Sequence, residues 1–368
     1  MRRSGLGSQT VRSCIALAIA LGSPLSHAAT FAVNSTADAL DANPGDGICE
    51  TAAGNGTCTL RAALQEAKRS VAPRTINLPS GEYRLSIPPD ATAAPGATGA
   101  LDVGLVSLVG AGADTTIIDG GALDVVMRVV QWQTADTGAT SISHVTIRNG
   151  RNPPPNVGGG IVNVADLTLD SVVVRDNFAA HGGGGIANTI FGNLTIRRST
   201  ISGNTSTVFS GAGISNRGKL KVSDSTISGN QVMEGSVNAS GAGLDNNLGT
   251  VELTNVTLSG NRGGGIYSAS TGNNYLANVT LFGNDASFQF GSGLSIARVL
   301  DLNGVDISGR HFIKNSIVAG NSAFNCVGAL VSEGHNLDSD GSCGFVSDGT
   351  SRQRDASAAG LHPSVRDY

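Results

Sequence analysis

A chain of 368 residues with 51 glycines, 4% aromatic residues and 14% charged residues departs from the composition of an ordinary globular α/β enzyme. Its length alone allows one elongated domain or two ordinary ones. Setting aside Arg2, Arg3 and Arg12 with the N-terminal segment takes the formal net charge from −4 to −7, which leaves no basic field and excludes nucleic acid as an expected partner.

In chain order, the first predicted element is a secretory signal over residues 1–28. Arg2, Arg3 and Arg12 form a positive region, Cys14 to Gly22 (CIALAIALG) a short apolar run, and Ser26-His27-Ala28 a small-residue cleavage site. That run is too short for a bilayer, and no other stretch approaches the ~20 apolar residues of a transmembrane helix. A mature chain beginning near Ala29 is therefore expected, secreted or held at the cell surface, without a transmembrane segment.

Residues 29–70 read as an N-terminal cap. Thr59 can cap a short helix in which Leu60, Ala63, Leu64 and Ala67 share one apolar face. Such a helix can cover the open end of a stacked fold, which otherwise exposes core and strand edges. Beyond the signal the cysteines are Cys49, Cys58, Cys326 and Cys343. They suit an oxidising compartment and allow three disulfide connectivities, of which nearest-neighbour closure is favoured. Neither spacing has the C-x2-C character of a zinc module.

Residues 71–345 are organised by repeats. GGGIVN (158–163), GGGIAN (183–188), GAGISN (211–216) and GAGLDN (241–246) recur, more loosely as GGGIYS (263–268) and GSGLSI (291–296). Each is followed by alternating apolar residues and then S-x-[ILV]-x-x-N; this second element, which also occurs once before the first glycine motif, ends at Asn149, Asn177, Asn204, Asn230, Asn261, Asn284 and Asn321. A period near 27 residues that tolerates insertions marks one supersecondary unit per repeat. Leu194 and Ile196 alternate with Thr195 and Arg197, which is strand periodicity. A leucine-rich horseshoe is the rival, but the GxG[IL] segment favours tight turns over a second helical segment. The expected fold is all-β: a single-stranded right-handed parallel β-helix of roughly nine coils at ~4.8 Å spacing, with a short N-terminal capping helix. The recurrent asparagines should face inward and form a structural ladder.

Phe31 to Ala67 (FAVNSTADALDANPGDGICETAAGNGTCTLRAALQEA) resembles the CSLREA domain that starts secreted bacterial β-helix proteins. The naming stretch stands as Cys58-Thr59-Leu60-Arg61-Ala62-Ala63, with Thr59 and Ala62 in place of the family's Ser and Glu. NSIVAGNSAFNC and GHNLDSDGSCGF, within residues 315–345, resemble the late coil of the choice-of-anchor Q type. The resemblance implies a secreted or cell-surface β-helix of uncharacterised activity, with a further coil after residue 345. Residues 346–368 instead lack strand alternation and read as an irregular tail, truncated or out of frame.

Motifs for a nucleophile elbow, a phosphate loop or a zincin site are absent, so no catalytic residue is assigned. The scattered histidines read as surface or turn residues. The densest carboxylate clusters, Asp38, Asp41 and Asp46 and then Asp338 with Asp340, have turn composition; a weak Ca²⁺ site is their functional alternative, and no other cofactor is expected. Trp132, Tyr267, Tyr275, Phe282, Phe288 and Phe290 are the aromatic candidates for stacking on sugars. The expectation is a scaffold that contacts polysaccharide or other cell-surface components. The alternative is a polysaccharide lyase or glycoside hydrolase of the pectin-lyase-like type.

Overall fold

The computed structural model describes residues 29–71, 73–133, 137–208, 211–233, 241–286, 292–345 and 352–353. The signal segment, Phe288 and Phe290 lie outside these residues. Within them the repeats wind into the expected parallel β-helix, each strand pairing in parallel with its counterpart one coil on, as Leu167 with Leu194 and Leu194 with Leu220. Its sense is the one that parallel crossovers adopt almost without exception.

Three long sheets form the walls. Sheet 1 runs from Ala29–Ala32 against Arg74–Leu78, through Asp166–Asp170 and Asn193–Arg197, to Val331–Ser332. Sheet 2 runs from Gly81–Arg84, through Val173–Arg175 and Thr200–Ser202, to Leu337–Asp338. Sheet 3 has nine described strands, Leu101–Val103 to Cys326–Val327, which at ~4.8 Å per rung make a rod on the order of 40 Å. Alternation sends Ile161, Ile186, Ile214, Leu244, Ile266 and Leu294 inward as one buried column of sheet 3.

The glycine before the apolar residue of GxG[IL] has a steric cause. A Cβ on Gly160, Gly185, Gly213, Gly243 or Gly265 would come within 2.6–2.7 Å of the carbonyl oxygen of the equivalent glycine in the next coil. Only a bare Cα lets the coils stack this closely.

The N-terminal helix spans Leu60–Arg69, and the Thr59 hydroxyl accepts the Ala62 amide at 3.1 Å. Leu60, Ala63, Leu64 and Ala67 are all buried, against the first strands of sheets 1 and 3. The boundary expected at residue 70 is not a structural one, because Ala29–Ala32 already forms the first rung of sheet 1. Likewise Arg352–Gln353, inside the segment read as irregular, pairs in parallel with Leu337–Asp338 and extends sheet 2. Cys49–Cys58 and Cys326–Cys343 are the disulfides.

The asparagine ladder stands inside the bend that follows sheet 2, with one correction. Asn177, Asn204, Asn230, Asn261 and Asn284 are buried, and each side-chain amide donates to the next residue's Oδ1 at 2.9–3.0 Å, ending on Asn321. Asn149 is not a rung. Register places Gly150 opposite Asn177, and the Gly150 amide donates to Asn177 Oδ1 at 2.8 Å. Asn149 instead occupies the preceding left-handed position (φ 55°), taken in later coils by Asp176, Gly203, Gly229, Gly260, Gly283 and Gly320. Asparagine tolerates that conformation better than other residues with a Cβ, so the pair reads Asn-Gly in one coil and Gly-Asn in those from Gly203 onward.

A second ladder follows sheet 3, built from the asparagines of the first four GxG[IL]-x-N motifs and continued by Asn274, at the start of the next sheet 1 strand, because Ser268 holds the motif position there. Asn163, Asn188, Asn216, Asn246 and Asn274 are linked by amide-to-carbonyl bonds of 2.7–3.2 Å. Asn274 Nδ2 then donates to His311 Nε2 at 3.0 Å. His311 is thus a buried end rung, not a surface or turn residue, and burial pushes its pKa below the ordinary value. His144 and His335, by contrast, occupy exposed left-handed bends between sheets 1 and 2.

Candidate functional site

Among the described residues, two places on the rod carry side chains that the scaffold does not use. The first is the outer face of sheet 1. Strand alternation buries Leu220 and Val222 and turns Lys219 and Lys221 outward. Register aligns Thr195, Lys221, Glu252, Tyr275 and Phe312 in one column along the rod, and Asn193, Lys219 and Thr250 in the next. With Asn273, and without Phe312, these residues line a groove of about 500 Å³, within the range of ligand sites.

An aromatic tier forms one end of this face. Tyr275 stacks on Phe312 with ring centroids 5.1 Å apart and planes within 8°, and the Arg310 guanidinium lies 5.4 Å from the Phe312 centroid. Tyr275 is 47% exposed, so one ring face is open to the groove. Lys221 pairs with Glu252 at 2.9 Å. Lys219 has no ion pair among the described residues. Of the aromatic candidates, Tyr275 is the one that lines the groove. Trp132 packs against the core with Arg74 over its ring.

The second place is the outer face of sheet 3. There the residue after the inward Ile or Leu runs Val162, Ala187, Ser215, Asp245, Tyr267, Ser295 from coil to coil. Asp245 is buried, and that desolvation pushes its pKa up to about 7 against the opposing pull of Arg217. Burial, and then the Asp245 charge, raise the Tyr267 phenol above its usual range. No catalytic residue was assigned from sequence, and this carboxylate was missed. Its signal is one letter: GAGLDN is the only quoted motif with an acid in that slot.

The raised value has a consequence for stability. In the unfolded chain Asp245 releases its proton near pH 4, whereas the folded chain keeps it to about pH 7. Unfolding therefore releases a proton between those limits, so this residue's contribution falls as pH rises across that window and is constant below it. For Asp245→Asn we expect a melting temperature that gains on the parent's steadily from about pH 4 to about pH 7. A pH-independent difference between the two would show that Asp245 ionises normally.

The expected Ca²⁺ candidates are occupied by the protein's own donors. Asp38 pairs with Arg61 at 2.6 Å. Asp41 accepts the amides of Asn43 and Glu50, and Asp46 accepts the Ile48 amide and the Asn43 side chain. Asp338 is buried and accepts from Asn325 Nδ2 and the Cys343 amide, both at 2.7 Å, while Asp340 accepts from the Asn325 and Ser342 amides. Burial raises the Asp338 pKa; for Asp340 the same penalty is outweighed by the Ser342 hydroxyl and amide, and its pKa falls. Among the described residues no three potential ligands converge on one point. These carboxylates knit the cap loop and the Cys326–Cys343 loop.

No family model and no curated protein matches the chain. Among solved structures it is similar to pectate lyase Pel9A, at 13% identity over 83% of this chain and 80% of that one, with a TM-score of 0.42. Pectin methylesterase PemA from Erwinia chrysanthemi gives 13% identity, 89% and 95% coverage and a TM-score of 0.40. The A-module of the Azotobacter vinelandii mannuronan C-5 epimerase AlgE4 gives 17%, 72% and 84%, and 0.34. The fold described above rests on this chain's own strand register.

Proposed function

We propose that this protein is a secreted or cell-surface β-helix scaffold, of the CSLREA and choice-of-anchor Q kind, that holds a linear polysaccharide along the outer face of sheet 1 without cutting it. The observation that carries this reading is the open face of Tyr275 in a groove of about 500 Å³ that runs with the rod. A sugar ring offers an apolar face to such an aromatic and hydroxyls to Thr195, Thr250 and Asn273 beside it. The two disulfides suit an oxidising compartment, and no helix among the described residues is long and apolar enough to cross a membrane.

The enzyme reading has one specific support, the carboxyl group of Asp245 that titrates near neutrality beside Tyr267. A general base or acid is best placed there on the pH scale. Nothing else on sheet 3 joins it to a nucleophile or a paired acid among the described residues, so binding is preferred. Incubation with a panel of neutral and acidic polysaccharides, with and without Ca²⁺, should give retention in affinity electrophoresis and no new reducing or unsaturated ends. Sustained product release abolished by Asp245→Asn would replace the scaffold with an enzyme.

A further inference from the structure

Resting on the glycan-contacting reading, we infer that the sheet 1 groove is built for a polyanionic glycan, one whose sugar rings carry carboxylates along the chain. The whole protein is acidic, at −7 without its N-terminal arginines, so a general attraction for polyanions is not expected. The local balance is the reverse. Across the sheet 1 strands at residues 219–223, 250–254, 273–277 and 310–314, outward charges are Lys219, Lys221, Arg310 and Lys314 against Glu252 alone. Glu252 faces Lys221 at 2.9 Å, with both side chains about half exposed or more, so it masks one cation weakly.

The placement matters as much as the count. Lys219 and Arg310 lie in one column, separated by Thr250 and Asn273, which puts them three rungs or roughly 14 Å apart. Between them, in the adjacent column, stands the open ring of Tyr275. A polymer lying along the rod meets a cation, then hydroxyl and amide groups beside an aromatic face, then a second cation. A uronate chain supplies the matching sequence of carboxylate, sugar face and carboxylate. A nucleic acid would also bring negative charge, but it needs successive aromatic platforms for its bases, and here Phe312 is covered by Tyr275 and Arg310.

The test is binding of the full chain to polygalacturonate, to its fully methyl-esterified neutral form and to an oligothymidylate, with the parent, Lys219→Gln/Lys221→Gln, Glu252→Gln and Tyr275→Ala. All four side chains are exposed, so folding is not at stake, and melting temperatures verify it. The inference expects polygalacturonate to bind, the ester to bind more weakly, added salt to weaken the acid form, the double variant to lose about tenfold and Glu252→Gln to tighten it. Equal binding of acid and ester, both lost in Tyr275→Ala, overturns the polyanion inference and leaves the glycan reading standing. Tighter binding of the oligothymidylate overturns both in favour of a nucleic acid, and no binding of any probe overturns both outright.

Discussion

Asp38→Ala should destabilise the protein by about 3–5 kcal/mol, with little relief or worsening from added salt. Asp38 and Arg61 have 2% and 1% of their side chains exposed and form two bonds, at 2.6 and 3.1 Å. Arg61 also donates to the carbonyls of Gly96 and Gly99, and Asp38 accepts the amides of Ser86 and Ile87. The pair therefore ties the capping helix, the preceding loop and the first coil to one another. Deleting the carboxylate leaves a buried guanidinium without its counter-ion and two amides without an acceptor, which costs far more than the pair's net attraction. Arg298–Asp306 is the natural control: its side chains are 74% and 41% exposed, and Arg298→Ala should move stability by no more than about 1 kcal/mol. Urea midpoints of the two variants, at low and high salt, make the comparison. Equal midpoints would mean that the cap is held by its apolar face alone.

The same pair illustrates where sequence reading stops. The helix face of Leu60, Ala63, Leu64 and Ala67 was legible because its spacing is local, and the coils were legible because a stacked fold repeats its own constraints. Arg61 finds Asp38 23 residues away, and no periodicity announces that contact. Asp41 and Asp46 read first as turn acceptors and second as weak Ca²⁺ ligands, since both roles draw on Asp, Asn and Gly; the directions of the Asn43, Ile48 and Glu50 amides show which donors these carboxylates take. The groove was hidden for a related reason. Lys219, Lys221, Glu252 and Tyr275 are scattered in sequence and become one surface when residues a coil apart are brought together. Asp245 needed the opposite kind of attention, one departure inside a motif whose other letters are structural. His311 ends a ladder of asparagines, and nothing in HFIKN marks it as a rung.

Asn204→Leu should cost at least ~3 kcal/mol, because it strands more than one buried partner at about 1–3 kcal/mol each. Asn204 accepts the backbone amide and the side-chain amide of Asn177 at 3.1 and 3.0 Å. It donates to the Val174 carbonyl and to Asn230 Oδ1, both at 3.0 Å. Leucine fills the volume but meets none of these groups, and water has no route to a residue that is 0% exposed. The side chain also packs on Gly185, where an added Cβ would come within 2.9–3.0 Å of the Asn204 amide group. Asn149 provides the discriminating comparison. It belongs to the same sequence pattern, yet it is exposed, lies at φ 55° and bonds to Asp119 rather than to a ladder neighbour. Asn149→Gly keeps the left-handed bend and should change stability by no more than about 1 kcal/mol. Thermal melts of the two variants beside the parent decide the matter: similar losses at both positions would return Asn149 to the ladder, whereas a large loss at Asn204 alone fixes the inward column one residue later in that coil, at Gly150.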